Sequence, residues 1–387
     1  MVIIDKLKSL RQKVLIKIYS ALPLKKNKII LWSNSFRSYG CNPKYITEYL
    51  LENYPNQFDI VWVISNMVNI PEGIPQNVRV VRYFSKEYLY ELHTAMFVIC
   101  NARTDHSFLW TKRKGQVYIQ TWHSSLRLKT IEKDAEKTLS ASYIQAAKSD
   151  SEKIDYIISG CAFSSRIFKN AFWYDGKILE YGTPRIDYLL KEANKKAVLE
   201  KTDFSEAYRY LLYAPTFRAD DAYPYNVDFE KLVRVCEEQF GGKWRVLYRL
   251  HPNLLFKMKE QTLPDVCIDV CKYSDMQELI AISDFMITDY SSCMFDMMYM
   301  KKPCLLYMPD FEEYTERERA LYFNIKELPF LKAYTEDALF DAVKNFDDDK
   351  YQQDIESFLG TIGSFENGTA CRAIAELISR KREKSCE

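Results

Sequence analysis

From about Lys28 the chain alternates short β-branched and aromatic runs with amphipathic helical runs, and then repeats the alternation. No other feature constrains the fold as strongly. Strands separated by helices pair in parallel, and the crossovers of a parallel sheet cover both of its faces. In the first series the strand-like runs are KIILWS, DIVWVIS, VRVVRY, MFVICNA, QVYIQTW, DYIISG and KILEYG. Helices are expected at NPKYITEYLLENY, with Asn42 as N-cap and Pro43 at the first helical position, and at SKEYLYELHTA, capped by Ser85. SSRIFKNAF and RIDYLL complete that series. In the second series the strands are YRYLLYAP, RVLYRLHP, VCIDV, DFMITD and PCLLYM. Its helices are FEKLVRVCEEQF, MQELIAIS, SSCMFDMMYM, TEDALFDAVKNF and a closing TACRAIAELISRKREK. A length of 387 residues exceeds one ordinary core. The expected fold is α/β, with two doubly wound domains facing across a cleft.

The polar stretch KEANKKAVLEKTDFSEA, residues 191 to 207, is the expected boundary. It divides an N-terminal domain over residues 29–195 from a C-terminal domain over residues 205–387 that includes the closing helix. Residues 1–28 stand apart. They hold eight basic residues against the single acid Asp5, a net of +7, while the whole chain is only +1. Ile3, Ile4, Leu7, Leu10, Val14, Leu15, Ile18 and Leu22 recur among those charges at helical spacing. That pattern predicts a basic amphipathic helix lying on an anionic membrane surface. Charges interrupt every apolar run, so it reads neither as a signal peptide nor as a membrane span. With basic residues concentrated in one amphipathic helix, nucleic-acid binding is not expected. Ten cysteines without a secretory signal point to free thiols in a reducing compartment, and Cys267 and Cys271 read as small core residues.

In open α/β sheets, ligands bind at the carboxyl ends of the strands. QVYIQTWHSS ends a strand on His123, Ser124 and Ser125. A histidine there is either a packing residue or a proton carrier, since imidazole titrates near neutral pH. DFMITDYSSC ends another strand at Asp289, with Ser291 and Ser292 ahead of a helix start that would suit a phosphate. LYRLHPN places Arg249 and His251 at a third strand end, LLYAPTFRAD places Arg218 at a fourth, and EYGTPRID places Arg185 at a fifth. The arginines suggest a phosphorylated ligand. There is no Gly-rich P-loop and no GxGxxG, so neither a P-loop ATPase nor a typical dinucleotide enzyme is indicated. No compact metal-ligand cluster is evident, and Mg²⁺ would ride on donor phosphates.

QTWHSS, YGTPRID, YAPTFR, RLHPN, ITDYSSCMFD and KKPCLLYMPDFEEY, in this order, resemble the motifs of the bacterial CDP-glycerol glycerophosphotransferases of teichoic acid and capsule synthesis. With SFRSYGCNPKYITEYL the likeness spans roughly residues 30 to 375. The resemblance implies two Rossmann-like domains of GT-B type. It implies transfer of glycerol phosphate or ribitol phosphate from CDP-glycerol or CDP-ribitol to a lipid-linked acceptor at the cytoplasmic membrane face, with release of CMP and no tightly bound cofactor. It makes His123 the general base and sets His251 near the donor pyrophosphate. Asp289, Ser291, Ser292 and Arg319 match donor-side positions, joined by Arg218 and Arg249, with Ser124, Ser125 and Arg185 on the acceptor side. This chain departs from the family at Ser124-Ser125-Leu126, where Gly-Thr-Pro is usual. Two other readings share the architecture. One is a nucleotide-sugar glycosyltransferase or UDP-sugar epimerase, separable by UDP rather than CMP release. The other is a non-catalytic assembly subunit, which would be expected to lack the histidines. Homo-oligomerisation is left open.

Overall fold

The computed structural model describes residues 2–104, 110–216, 218, 227–250, 262–317 and 320–384, and the side chains of these except 2–10 and 315–317. The chain divides into two units. The first comprises Met1–His123, Ile131–Asp187 and Phe365–Glu387, and the second Ser124–Thr130 and Tyr188–Ser364.

The first unit runs α1 (Val2–Ser20), β1 (Lys25–Trp32), α2 (Cys41–Asn53), β2 (Asp59–Ile64), β3 (Arg79–Arg82), α3 (Lys86–Thr94), β4 (Ala95–Cys100) and β5 (Val117–Gln120). It continues with α4 (Ala141–Ser151), β6 (Tyr156–Ile158), α5 (Ala162–Ala171), β7 (Lys177–Leu179) and the start of α6 (Pro184–Leu189), along which the chain passes into the second unit. The seven strands pair in parallel in the order β3-β2-β1-β4-β5-β6-β7. Both faces of this sheet are covered, as the alternation demands. Ile29, Leu31, Trp62, Phe97, Ile99 and Ile119 enter one core, and Ile30, Trp32, Val61, Val63, Val98 and Tyr118 enter the other. Ser85 caps α3 by accepting the Tyr88 N–H.

The second unit runs α7 (Glu192–Lys201), β8 (Arg209–Tyr213), α8 (Phe229–Phe240), β9 (Trp244–Tyr248), β10 (Cys267–Asp269), α9 (Met276–Ile282) and β11 (Phe285–Thr288). Then come α10 (Cys293–Tyr299), β12 (Cys304–Tyr307), α11 (Phe311–Arg317), β13 (Leu331–Ala333), α12 (Glu336–Lys344) and α13 (Asp348–Ile362). Its six strands are also parallel, in the order β10-β9-β8-β11-β12-β13. Leu211, Tyr213, Val246, Tyr248, Phe285 and Ile287 form one face of this sheet, against Leu232 and Cys236 of α8 and Leu339 and Phe340 of α12.

The structure redraws the expected boundaries in three places. The polar stretch at 191–207 is not a linker but mostly helix α7, which buries Val198 and pairs Lys201 with Glu278 of α9 at 2.7 Å. The closing helix α14 (Ala370–Lys384) belongs to the first unit, where Ile374, Ala375 and Ile378 join the core beside Ile46 and Leu50. The amphipathic helix stops at Ser20, and Lys25 to Lys28 already belong to β1. Lys28 is fully buried and donates to Glu91 and to Thr94 Oγ1, the latter at 2.9 Å. It is therefore a structural cation of the core, and burial lowers its pKa below the ordinary lysine value. Among the described residues no helix is long and apolar enough to cross a membrane. Nine cysteines there are free, and Cys271 is buried as a small core residue while Cys267 is partly buried.

Asp187 explains how α14 is tied to the first unit. Its carboxylate accepts from the N–H groups of Ala370 and Cys371, at 3.1 and 2.7 Å, at the start of the helix. A remote side chain thus does the work of an N-cap. Asp187→Ala is expected to lower stability by about 1–2 kcal/mol. Asp187→Asn, with one acceptor oxygen, should lose less. Urea unfolding of the three proteins measures both; equal midpoints would show that the helix start is held by other groups.

Candidate functional site

In the first unit, β1 and β4 are neighbours, and the chain order reverses between them. That is the topological switch point, where the strand-end loops diverge and leave room for a ligand. The backbone there is unusual. Asn34, Ser35 and Phe36 have φ of 47°, 53° and 66°, Cys41 has 58° and Trp122 has 51°. A side-chain-bearing residue in the left-handed region costs about 1–3 kcal/mol and persists only where its surroundings hold it.

Trp122 is held from both sides. Its N–H donates to Gln120 Oε1 at 3.0 Å, and its carbonyl accepts from Asn42 Nδ2 at 2.9 Å. Asn42 Nδ2 also donates to Thr121 O at 3.2 Å, and Thr121 in turn bonds Cys100 O through its N–H at 2.9 Å and its hydroxyl at 3.1 Å. The indole packs edge-on against Phe172 at 4.8 Å. Thr121 and Trp122 are consequently buried, and the turn delivers His123 to the surface. The His123 ring lies 4.4 Å from the Trp122 ring, and its Nδ1 sits 3.2 Å from Asn101 O. A carbonyl oxygen only accepts, so Nδ1 carries the proton and the neutral ring keeps its lone pair on Nε2. That is the tautomer of a general base.

Asn42 is therefore not the N-cap of α2. The helix starts two residues before the expected Pro43, at Cys41 after Gly40, and the Asn42 side chain turns into the core. Arg185 is buried and serves the same loop. Its N–H donates to Asn42 Oδ1 at 2.9 Å, and its guanidinium donates to the carbonyl of His123. Thr183, two residues earlier, donates its N–H and its hydroxyl to Glu366, both at 2.8 Å. The YGTPRID run is thus a bracing motif in which Gly182 has φ of 81° and a Cβ would come within 2.8 Å of the Glu366 carboxylate.

Below the loop lies a polar core that no sequence motif announced. Arg103 pairs with Glu132 at 3.0 Å and with Asp150 at 3.2 Å, all three nearly inaccessible. Burial raises the Asp150 pKa, with Arg103 opposing the shift. Tyr143 adds a 2.7 Å bond to Glu132. One residue past His123 the chain joins the second unit. There Ser124 and Ser125 are buried, Ser125 donates to Tyr299 Oη at 3.1 Å, and Thr130 N–H donates to Ala320 O at 2.8 Å.

In the second unit the expected donor residues separate into two groups. Arg218 contacts Asp289 at 3.0 Å and Asp310 at 2.6 Å, and its guanidinium lies over the rings of Tyr290 and Tyr314, which stack at 3.6 Å. Asp289 also accepts the Thr216 N–H at 2.9 Å. Burial raises the Asp289 pKa against the pull of Arg218. One guanidinium shared by two carboxylates offers no surplus positive charge to a phosphate, so these groups brace the ends of β8, β11 and β12. Arg249 differs. Its Nη1 donates to Val270 O and Tyr273 O, both at 2.8 Å, and among the described residues it forms no ion pair. Burial lowers its pKa, with Asp275 opposing. Ser291 and Ser292 are half-buried, and the Ser292 side chain makes no capping bond to α10. His251 and Arg319 lie outside the described residues. Among the described residues no group of three or more His, Cys, Asp or Glu could hold a metal ion. Asp289, past β11, and Asp310, past β12, are both held by Arg218, so these two acids supply no ligand set for Mg²⁺.

Comparison with known proteins follows this geometry. A teichoic acid poly(glycerol phosphate) polymerase of Bacillus subtilis is 28% identical over 90% of this chain and 49% of its own length. The chain thus spans about half of that relative. A teichoic acid glycerol-phosphate transferase of Staphylococcus aureus is 32% identical, over 94% of this chain and 95% of its own. The solved wall teichoic acid polymerase TagF superposes with a TM-score of 0.83 at 28% identity, covering 99% of this chain and 97% of that one. The two parallel-sheet units are Rossmann-like domains of the GT-B type seen there. A family model for CDP-glycerol:poly(glycerophosphate) glycerophosphotransferases matches residues 14–380, and the chain belongs to that family.

Proposed function

We propose that this chain transfers glycerol phosphate from CDP-glycerol to a hydroxyl of a polyol-phosphate acceptor and releases CMP. The observation that carries this reading is His123, exposed at the end of β5 with Nδ1 directed at a carbonyl, in a chain of this family. CDP-glycerol is favoured over CDP-ribitol by the relatives compared above, whose names carry glycerol phosphate. A TagF variant soaked with CDPG supports the same donor. His123 Nε2 takes the acceptor proton as the acceptor oxygen forms a bond to the β-phosphorus. The bond from that phosphorus to the bridging oxygen breaks, and CMP leaves with the electron pair. Charge gathers on the phosphates, where Arg249 and the hydroxyls of Ser291 and Ser292 are the cation and donors to meet it.

A lipid-linked acceptor at the cytoplasmic membrane face fits α1. Leu15, Ile16 and Tyr19 pack onto the first unit, while Val14 and Ile18 are 50% and 52% exposed beside Arg11, Lys13 and Lys17. An apolar stripe flanked by cations suits an anionic leaflet.

Three measurements test this reading. His123→Ala should lower CMP release about 10²–10⁴-fold while calorimetry shows nearly unchanged CDP-glycerol binding; normal turnover would remove the base role. Ser291→Ala with Ser292→Ala, and separately Arg249→Gln, should weaken donor binding by about 1.5–3 kcal/mol for each charge-assisted bond lost. Unchanged affinity would put the donor phosphates elsewhere. Val14→Glu with Ile18→Glu should abolish co-sedimentation with anionic vesicles at an unchanged melting temperature, whereas added salt should only weaken the wild-type binding, because the apolar contribution is unscreened. Equal pelleting of wild type and variant would make α1 a surface element only.

A further inference from the structure

We propose that Asn42 is a positioning residue for His123, clamping the left-handed Trp122 turn that presents the imidazole; the inference rests on the reading of His123 as the base. Asn42 is fully buried, yet its amide makes three bonds, two to this loop and one to Arg185 of α6. Its Nδ2 spans the carbonyls of Thr121 and Trp122 at 3.2 and 2.9 Å, on either side of the strained residue. Its Oδ1 accepts the Arg185 N–H at 2.9 Å, and Arg185 reaches forward to the carbonyl of His123 itself. The three residues from Thr121 to His123 are thus gripped at successive carbonyls by the side chains of Asn42 and Arg185, and the Arg185 backbone N–H is in turn held by Asn42.

The need for such a clamp follows from the backbone. With φ of 51°, Trp122 sits where an aromatic residue is strained, and release would let it relax to an extended or right-handed conformation. Either change rotates the following residue and carries the His123 ring away from Asn101 O. A general base displaced by about 1 Å loses on the order of 10²-fold in rate without touching the donor. Only an amide supplies two N–H donors and an acceptor from one short side chain. Aspartate keeps the acceptor but sets its oxygens against two carbonyl oxygens.

The test is a double-mutant cycle on CMP release with CDP-glycerol as donor. Asn42→Asp should lower kcat roughly 10–100-fold, leave KM for CDP-glycerol nearly unchanged, and cause no further loss in a His123→Ala background, because groups acting as a unit are not additive. If Asn42→Asp does not fold, Asn42→Ser serves, since one hydroxyl proton cannot bond two carbonyls at once. Normal kcat in a folded Asn42 variant, beside an inactive His123→Ala, overturns the positioning role and leaves the base intact. A loss that adds to that of His123→Ala, or a parallel fall in kcat and affinity for CDP-glycerol, also overturns it. Full turnover in His123→Ala overturns the base reading and this inference with it.

Discussion

Trp122 holds a backbone conformation that costs an aromatic residue about 1–3 kcal/mol, and everything around it opposes relaxation. Gln120 takes its N–H, Asn42 takes its carbonyl and Phe172 packs against its indole. The strain has a geometric result. A strand continued past Gln120 would alternate its side chains between two buried faces. The turn breaks that alternation and brings His123 to the surface with one ring nitrogen already directed at Asn101 O. The loop after β1 meets the same corner, where Asn34 and Asn101 bond each other through backbone and side chain. The strained positions are braced by buried amides and by Arg185, groups that cannot leave without stranding a partner.

The second unit meets the same demand with charge. Arg218 between Asp289 and Asp310 ties three strand-end segments together, and its guanidinium lies 5.1 and 4.7 Å from the centroids of the stacked Tyr290 and Tyr314 rings. Such a buried network contributes little net stability over apolar packing, but it fixes geometry, because losing one member leaves a charge unmet. It also separates roles among arginines that look alike in sequence. Arg218 is engaged by carboxylates, whereas the described bonds of Arg249 go only to carbonyls.

Long-range braces hold the first unit together despite its discontinuous chain. Lys28 is buried against Glu91, Thr183 is bonded to Glu366, and Asp187 receives the start of α14. Each joins residues more than sixty positions apart. The YGTPRID brace of the candidate site therefore rests on contacts made only once the C-terminal segment has returned to the first unit.

Strand and helix alternation determined the two doubly wound units, because a run that is apolar at every position must be covered on both faces wherever it lies. The ordered motifs determined the family, and the strand-end position of His123 could be read from them. Helix α7 was missed because its apolar content is slight and its docking relies on a salt bridge to α9. The return of α14 was missed because amphipathicity shows that a helix packs, not which sheet it packs on. Tertiary structure alone decided that Lys28 is a core cation, that Arg218 and Asp289 brace each other, and that Asn42 clamps a strained turn instead of capping a helix. Each of those roles depends on a partner distant in sequence, and local pattern carries no information about which distant carboxylate or carbonyl a polar side chain will meet.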